Sequence, residues 1–244
     1  MRKLTLLFLS LLITATIFAQ TPGAAEKNAG NAAWKAKNYA EAFKNFEAYL
    51  KINEYKDKPY LYNTAVAANR VKNYAAADKY FTMAIKERYK VASSYLGKAK
   101  VLDTQKKTAE MLKTLEEGLV AAKGNSKLEN MYGSYYMKEG QKFQKSGNVA
   151  KAVENYTKVT ALTHKGLKVS AFVSLAGLYF NNGASILKDA NPFANSDKPK
   201  FEAEKAKAML DFKKAKGYVG QTQALDAANE TAKTLLTQIN TAMK

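Results

Sequence analysis

The stretch Asn38–Asn53, "NYAEAFKNFEAYLKIN", returns 35 residues later as Asn73–Arg88, "NYAAADKYFTMAIKER". Each copy carries an alanine, an aromatic residue four positions on, and a further packing residue three beyond that. These are Ala42, Phe46 and Tyr49 in the first copy, and Ala77, Phe81 and Ala84 in the second. Spacings of four and three put such residues on one face of a helix. The alternation of size has a packing reason: the small residue lets a neighbouring helix approach closely, and the aromatic fills the space beside it.

The spacing recurs twice more. Thr108, Ala109, Met111, Leu115 and Gly118 form a third, divergent copy in which Met111 replaces the alanine. Val149, Ala152, Tyr156 and Val159 form a fourth. A second helical stretch precedes each copy: "EKNAGNAAWKAK" with Gly30 before the first, "YYMKEGQKFQKSGN" with Gly140 before the fourth. In the latter, Gly147-Asn148 supplies the turn, because glycine tolerates positive φ. Copies start near residues 23, 58, 92 and 133, so the steps are 35, 34 and 41. The longest step contains "SKLE" at 126–129, which reads as a capping box with Ser126 at the N-cap and Glu129 at N3. The seven added residues, about two helical turns, then lengthen the first helix of the fourth copy without breaking the register.

The segments "AGNAAWKAKNYAEAFKNFEAYLKIN" and "EGQKFQKSGNVAKAVENYTKV" resemble the tetratricopeptide repeat (TPR), a helix–turn–helix unit of about 34 residues. The resemblance implies an all-α fold, a right-handed α-solenoid of about five such units with a C-terminal capping helix. The units are expected near 23–57, 58–91, 92–125, 126–166 and 167–219, within a single solenoid over 20–244. In the fifth, "SAFVSLAGLYFNNG" reads as the first helix, with Gly177 and Phe180 matching Gly140 and Phe143. "FEAEKAKAMLDFKKAKGYV" reads as the second, and the intervening "LKDANPFANSDKPK" at 187–200 reads as a loop, from Asn191-Pro192, Ser196-Asp197 and Pro199. The capping helix is expected over 222–243. There Leu225, Ala228, Ala232, Leu235, Ile239 and Ala242 share one side, and the other is polar, as a terminal solenoid unit requires.

Composition agrees with a helical reading, since only 4 prolines and 13 glycines occur in 244 residues. At the N-terminus, "MRK" followed by the apolar run Leu4–Phe18 and Ala19 has the pattern of a secretory signal peptide over 1–19. The run is short for a bilayer span, which needs about 20 apolar residues. The chain is therefore expected to be exported, periplasmic or secreted. It is also expected to be soluble after cleavage, because no cysteine is present to carry a lipid anchor. The same lack excludes disulfides and thiolate metal sites.

The formal charge is +18; without Arg2 and Lys3 the count is 37 basic against 21 acidic residues, or +16. Such a field attracts anionic partners. In an exported chain these are acidic proteins or peptides, envelope polymers or a membrane surface rather than nucleic acid. No catalytic constellation stands out. His164 is the single histidine and reads as a surface or cap residue. No HExxH, nucleophile elbow, glycine-rich phosphate loop or EF-hand spacing occurs. Neither an enzyme nor a cofactor or metal site is expected.

In TPR proteins the first helices line a concave groove, so the resemblance implies binding residues on those helices. In the first unit they are Lys27, Asn31, Trp34 and Lys35; in the second, Tyr62, Asn63, Val66, Asn69 and Arg70. In the third they are Leu96, Lys100, Asp103 and Thr104; in the fourth, Met137, Gln141, Gln144 and Lys145. Members that grip a C-terminal carboxylate use a lysine and asparagine in the first repeat and an asparagine in the second. Lys27, Asn31 and Asn63 match these, whereas the third-repeat positions hold Ser93 and Gly97 in place of basic residues. Trp34, the only tryptophan, either anchors a ligand or packs against the edge of the first helix. The expectation is a non-enzymatic scaffold of the bacterial cell envelope that binds a protein or peptide, acidic or carboxylate-terminated, in a basic groove. The alternative is a binder of anionic polymer or membrane surface through diffuse lysines.

Overall fold

The structure, a computed structural model, describes residues 21–244. The expected signal peptide lies outside the described residues. Twelve helices and no strands occur among them. Four helical hairpins follow in order: α1 (Ala24–Lys35) with α2 (Tyr39–Ile52), α3 (Lys58–Arg70) with α4 (Tyr74–Lys86), α5 (Val91–Thr104) with α6 (Thr108–Ala121), and α7 (Ser126–Lys145) with α8 (Val149–Thr160). A longer hairpin, α9 (Lys165–Ala190) and α11 (Lys198–Leu225), encloses the one-turn α10 (Phe193–Ser196), and α12 (Glu230–Ala242) closes the chain.

Each hairpin is turned by the same local geometry. Lys37, Lys72, Lys106 and Gly147 occupy the left-handed region with φ of 59°, 61°, 59° and 75°. The asparagine that follows, Asn38, Asn73 or Asn148, accepts the backbone N–H three residues on and caps the second helix. In the third unit Lys107 stands there without a side-chain cap.

Packing follows the small–large alternation. A Cβ on Gly30 would come within 2.5 Å of the Phe46 ring, and one on Gly140 within 2.5 Å of the Tyr156 ring. Ala65 with Phe81, and Ala99 with Leu115, hold the same relative positions, and all four are buried. Each second helix packs on the next unit's first helix, so the core clusters run across the boundaries between units. First helices also touch the first helices of neighbouring units, α3 on α5, α5 on α7 and α7 on α9, and no pair of adjacent second helices does so comparably. The α-solenoid therefore curves with the first helices inside.

Four expectations are corrected. The cap of α7 is Asn125, whose side chain accepts from Leu128 N, not Ser126. Glu129 instead reaches across to Thr163, accepting from its backbone N at 3.0 Å and its hydroxyl at 2.7 Å. The fifth unit is in a different register from the expected one. Nothing lies within 4 Å of a Cβ on Gly177, whereas one on Gly183 meets Phe212 at 2.9 Å. The segment 187–200 is not a long loop, since α9 continues to Ala190 and α11 starts at Lys198 with the Asp197 cap accepting from Lys200 N. Pro199 falls in the first turn of α11, where proline's missing N–H leaves no bond unmade. Finally, the last helix starts at Glu230 and not at 222. Thr222 is buried inside α11, its hydroxyl donating to Tyr218 O, and Asn229 caps α12.

Candidate functional site: a basic hollow on the inner face

On the inner face, α3, α5 and the start of α7 enclose a hollow of about 490 Å³. From α3 come Tyr62, Val66, Asn69 and Arg70; from α5, Ser93, Leu96, Gly97 and Lys100. Lys72 at the turn, Tyr74 and Phe81 from α4, and Lys127 from α7 complete it. The floor is apolar because Phe81 is buried beneath it, with Gly97 close enough that a Cβ there would meet the ring at 2.4 Å. Tyr62 packs edge-on against Phe81 with centroids 5.9 Å apart, and the Lys90 ammonium lies 4.8 Å from the Tyr62 centroid. The four charged residues of the wall, Arg70, Lys72, Lys100 and Lys127, are all basic. The hollow thus offers aromatic and aliphatic surface ringed by uncompensated cations, a combination suited to carboxylates carried beside apolar side chains.

Of the residues expected to bind, the structure brings Tyr62, Val66, Asn69, Arg70, Leu96 and Lys100 together here. Asn63 is half-buried on α3 but does not line the hollow, and Lys145 is exposed at the far end of α7. In the fourth unit Met137 and Gln141 border a separate hollow between α7 and α9, while Gln144 accepts from the Tyr156 hydroxyl at 2.8 Å.

The first unit behaves differently. Lys27 Nζ donates to Asp57 Oδ2 at 3.1 Å and to the Tyr49 hydroxyl at 3.3 Å, and it lies 4.6 Å from the Tyr60 ring centroid. Burial works against this ammonium, but the bonds to Asp57 and Tyr49 outweigh it and raise the Lys27 pKa above its ordinary value. Asn31 pairs with the Tyr60 hydroxyl, at 2.8 Å as donor or 2.9 Å as acceptor. The lysine and asparagine expected to receive a ligand's carboxylate are thus engaged within the chain, and Asp57 supplies the carboxylate. Trp34 packs edge-on to Tyr39 at 5.5 Å and against Phe46 at 6.0 Å, so it forms part of the first unit's packing; Lys35 beside it is exposed.

Sequence reasoning missed Lys72, Tyr74, Phe81 and Lys127. Lys72 sits at a turn, outside the helical period used to choose candidates. Lys127 belongs to the extra turns of α7, whose direction over the third unit is set by packing. Of the remaining features, His164 caps α9, its Nδ1 accepting from Leu167 N at 3.3 Å. No grouping of three or more His, Cys, Asp or Glu suited to a metal ion occurs among the described residues.

No protein-family model matches the chain, and no curated protein matches it. Among solved structures, a TPR repeats protein from Bacteroides fragilis is 42% identical, with a TM-score of 0.86 over 91% of this chain and 99% of that one. A tetratricopeptide repeat protein from Parabacteroides merdae is 13% identical, with a TM-score of 0.41 over 89% of this chain and 84% of its own. The identity to the Bacteroides fragilis protein over nearly its whole length, together with the phased helical hairpins, makes this chain a member of the tetratricopeptide-repeat family.

Proposed function

We propose that the chain is a non-enzymatic interaction scaffold of the bacterial cell envelope that holds an acidic segment of a protein or peptide on its inner face. The observation that carries this reading is the hollow walled by Arg70, Lys72, Lys100 and Lys127 without an acidic residue, above the apolar floor of Phe81 and Leu96. The cations supply charge-assisted hydrogen bonds, and the floor takes the apolar side chains that flank the carboxylates. Export is proposed from the N-terminal "MRK" and the apolar run that follows it. The chain's own Asp57 occupies Lys27, which moves the proposed contact from the first unit to the second and third.

The test is calorimetric titration of an acidic peptide containing one aromatic residue, against the same peptide with Gln for Glu. The acidic peptide should bind, and Arg70→Glu with Lys100→Glu should abolish that binding without lowering the melting temperature. Equal binding of both peptides, or binding unaffected by the two substitutions, would refute the reading. Salt separates it from diffuse attraction to the many surface lysines. Contacts within the hollow keep part of their affinity at about 0.5 M salt, whereas exposed charges are screened beyond a few ångströms.

A further inference from the structure

A second hollow, of about 520 Å³ and more apolar than the first, lies outside the inner face, where α6, α7 and α8 meet. It occurs at the junction where the repeat lengthens. Its apolar wall comes from Leu119, Val120 and Leu162, and Val120 is 85% exposed at the rim. Two carboxylates line it, Glu116 from α6 and Glu129 from α7. Glu129 is only 3% exposed. Its Oε1 takes both hydrogen bonds from Thr163, while Oε2 has no hydrogen-bond partner among the described residues. Among the described residues, the one side-chain oxygen sealed from solvent without a hydrogen-bond partner is on Asp78, so Glu129 Oε2 keeps some access to an incoming donor. Glu116 accepts from the Tyr132 hydroxyl at 3.3 Å.

Neither basic residue at this hollow forms a close ion pair with those carboxylates among the described residues, although, with burial opposing and the Tyr136 bond leading, the Glu116 charge helps to hold the Lys158 pKa up. The Lys158 ammonium donates to the Tyr136 hydroxyl at 3.4 Å, pairs with Glu154 at 3.7 Å and lies 4.5 Å from the Tyr136 ring centroid. Lys123 is exposed at the rim. A largely buried carboxylate with an open oxygen, set in an apolar wall, calls for a donor of opposite charge on an apolar body.

We propose that this hollow binds an ammonium group attached to an apolar body, with the body against Leu119, Val120 and Leu162 and the ammonium between Glu116 and Glu129. The volume lies within the few hundred to about 1,000 Å³ usual for small-ligand sites. The same chemistry is offered by a free arylalkylamine and by the N-terminal amine of a peptide beginning with an apolar residue. The site is distinct from the inner-face hollow: the two share only α7, which gives Lys127 to the first and Glu129 and Tyr132 to the second, and their charges are opposite.

The test uses the full chain and four probes: 4-phenylbutylamine, 4-phenylbutanoate, a short peptide with a free N-terminal phenylalanine, and its N-acetylated form. Binding is read by calorimetry. The amine should bind and the carboxylate should not; binding of the free but not the acetylated peptide identifies a polypeptide terminus as a ligand, and failure of both peptides identifies a free amine. Glu116→Gln, at an exposed position, should weaken amine binding by about tenfold, the worth of one charge-assisted contact. Val120→Lys should abolish it. Glu129→Gln is informative if the melting temperature holds, and Glu116→Gln serves if it does not. No binding of any ammonium probe, equal binding of amine and carboxylate, or affinity unchanged by Glu116→Gln would overturn the proposal. None of these outcomes alters the acidic-peptide titration.

Discussion

At the scale of single residues, the fold depends on a few size-matched contacts. Phe46 is buried against Trp34 and Tyr60 and above Gly30, so Phe46→Ala should cost about 3–5 kcal/mol in chemical denaturation. Ala77 is fully buried, and Ala77→Leu should cost about 1–3 kcal/mol by overpacking the second unit. The third unit offers a gain instead. Lys107 stands where its counterparts are capping asparagines, so Lys107→Asn should stabilise by about 1 kcal/mol. A melting temperature unchanged or lowered in that variant would show that the α6 N-terminus is satisfied in another way. These contacts were legible because the alanine–aromatic spacing specifies a helical face. The engagement of Lys27 was not, because Asp57 lies 30 residues away and meets it only through the turn between α2 and α3.

At the scale of helices, most elements could be read from spacing, and the departures share a cause. The sequence 187–200 has Asn191, Pro192 and Pro199, residues that usually interrupt helices. The antiparallel packing of α9 on α11, with Phe180 against Phe212 at 5.8 Å, keeps helix on either side of a short turn. Tertiary contact overrides local preference there. The terminal helix α12 shields Ala208, Phe212, Ala215 and Val219 in concert with α9 and α11. Deleting residues 226–244 should therefore expose this apolar surface. Increased binding of a hydrophobic dye and loss of the monodisperse species in sedimentation are the expected results. A truncated chain with an unchanged melting temperature would remove α12 from the cap role.

At the scale of the whole molecule, burial of tyrosines along the stack links stability to alkaline pH. Burial raises the pKa of Tyr80, with its bond to Glu47 adding to the effect, and burial raises those of Tyr132 and Tyr156 as well. Lys27 and Lys158 are also raised, burial opposing and their partners prevailing. A group whose pKa is higher in the folded state stabilises fully below its unfolded value and loses that contribution as pH rises through the folded one. Stability should thus hold to about pH 10, the ordinary tyrosine value, and fall above it. Tyr80→Phe should flatten that fall, as read from melting temperatures across the alkaline range; a slope identical to that of the parent would contradict the assignment.

The repeated sizes at spacings of three and four determined by themselves that the chain is a stack of helical hairpins, because close approach of two helices is decided by which residues share a face. Tertiary structure alone decided which lysines remain available. Lys27 is taken up by Asp57, while Lys72 and Lys127 join Arg70 and Lys100 around one hollow. Charge acts through space and not along the period. The curvature of the stack, and the extra turns of α7 laid across it, set which cations converge.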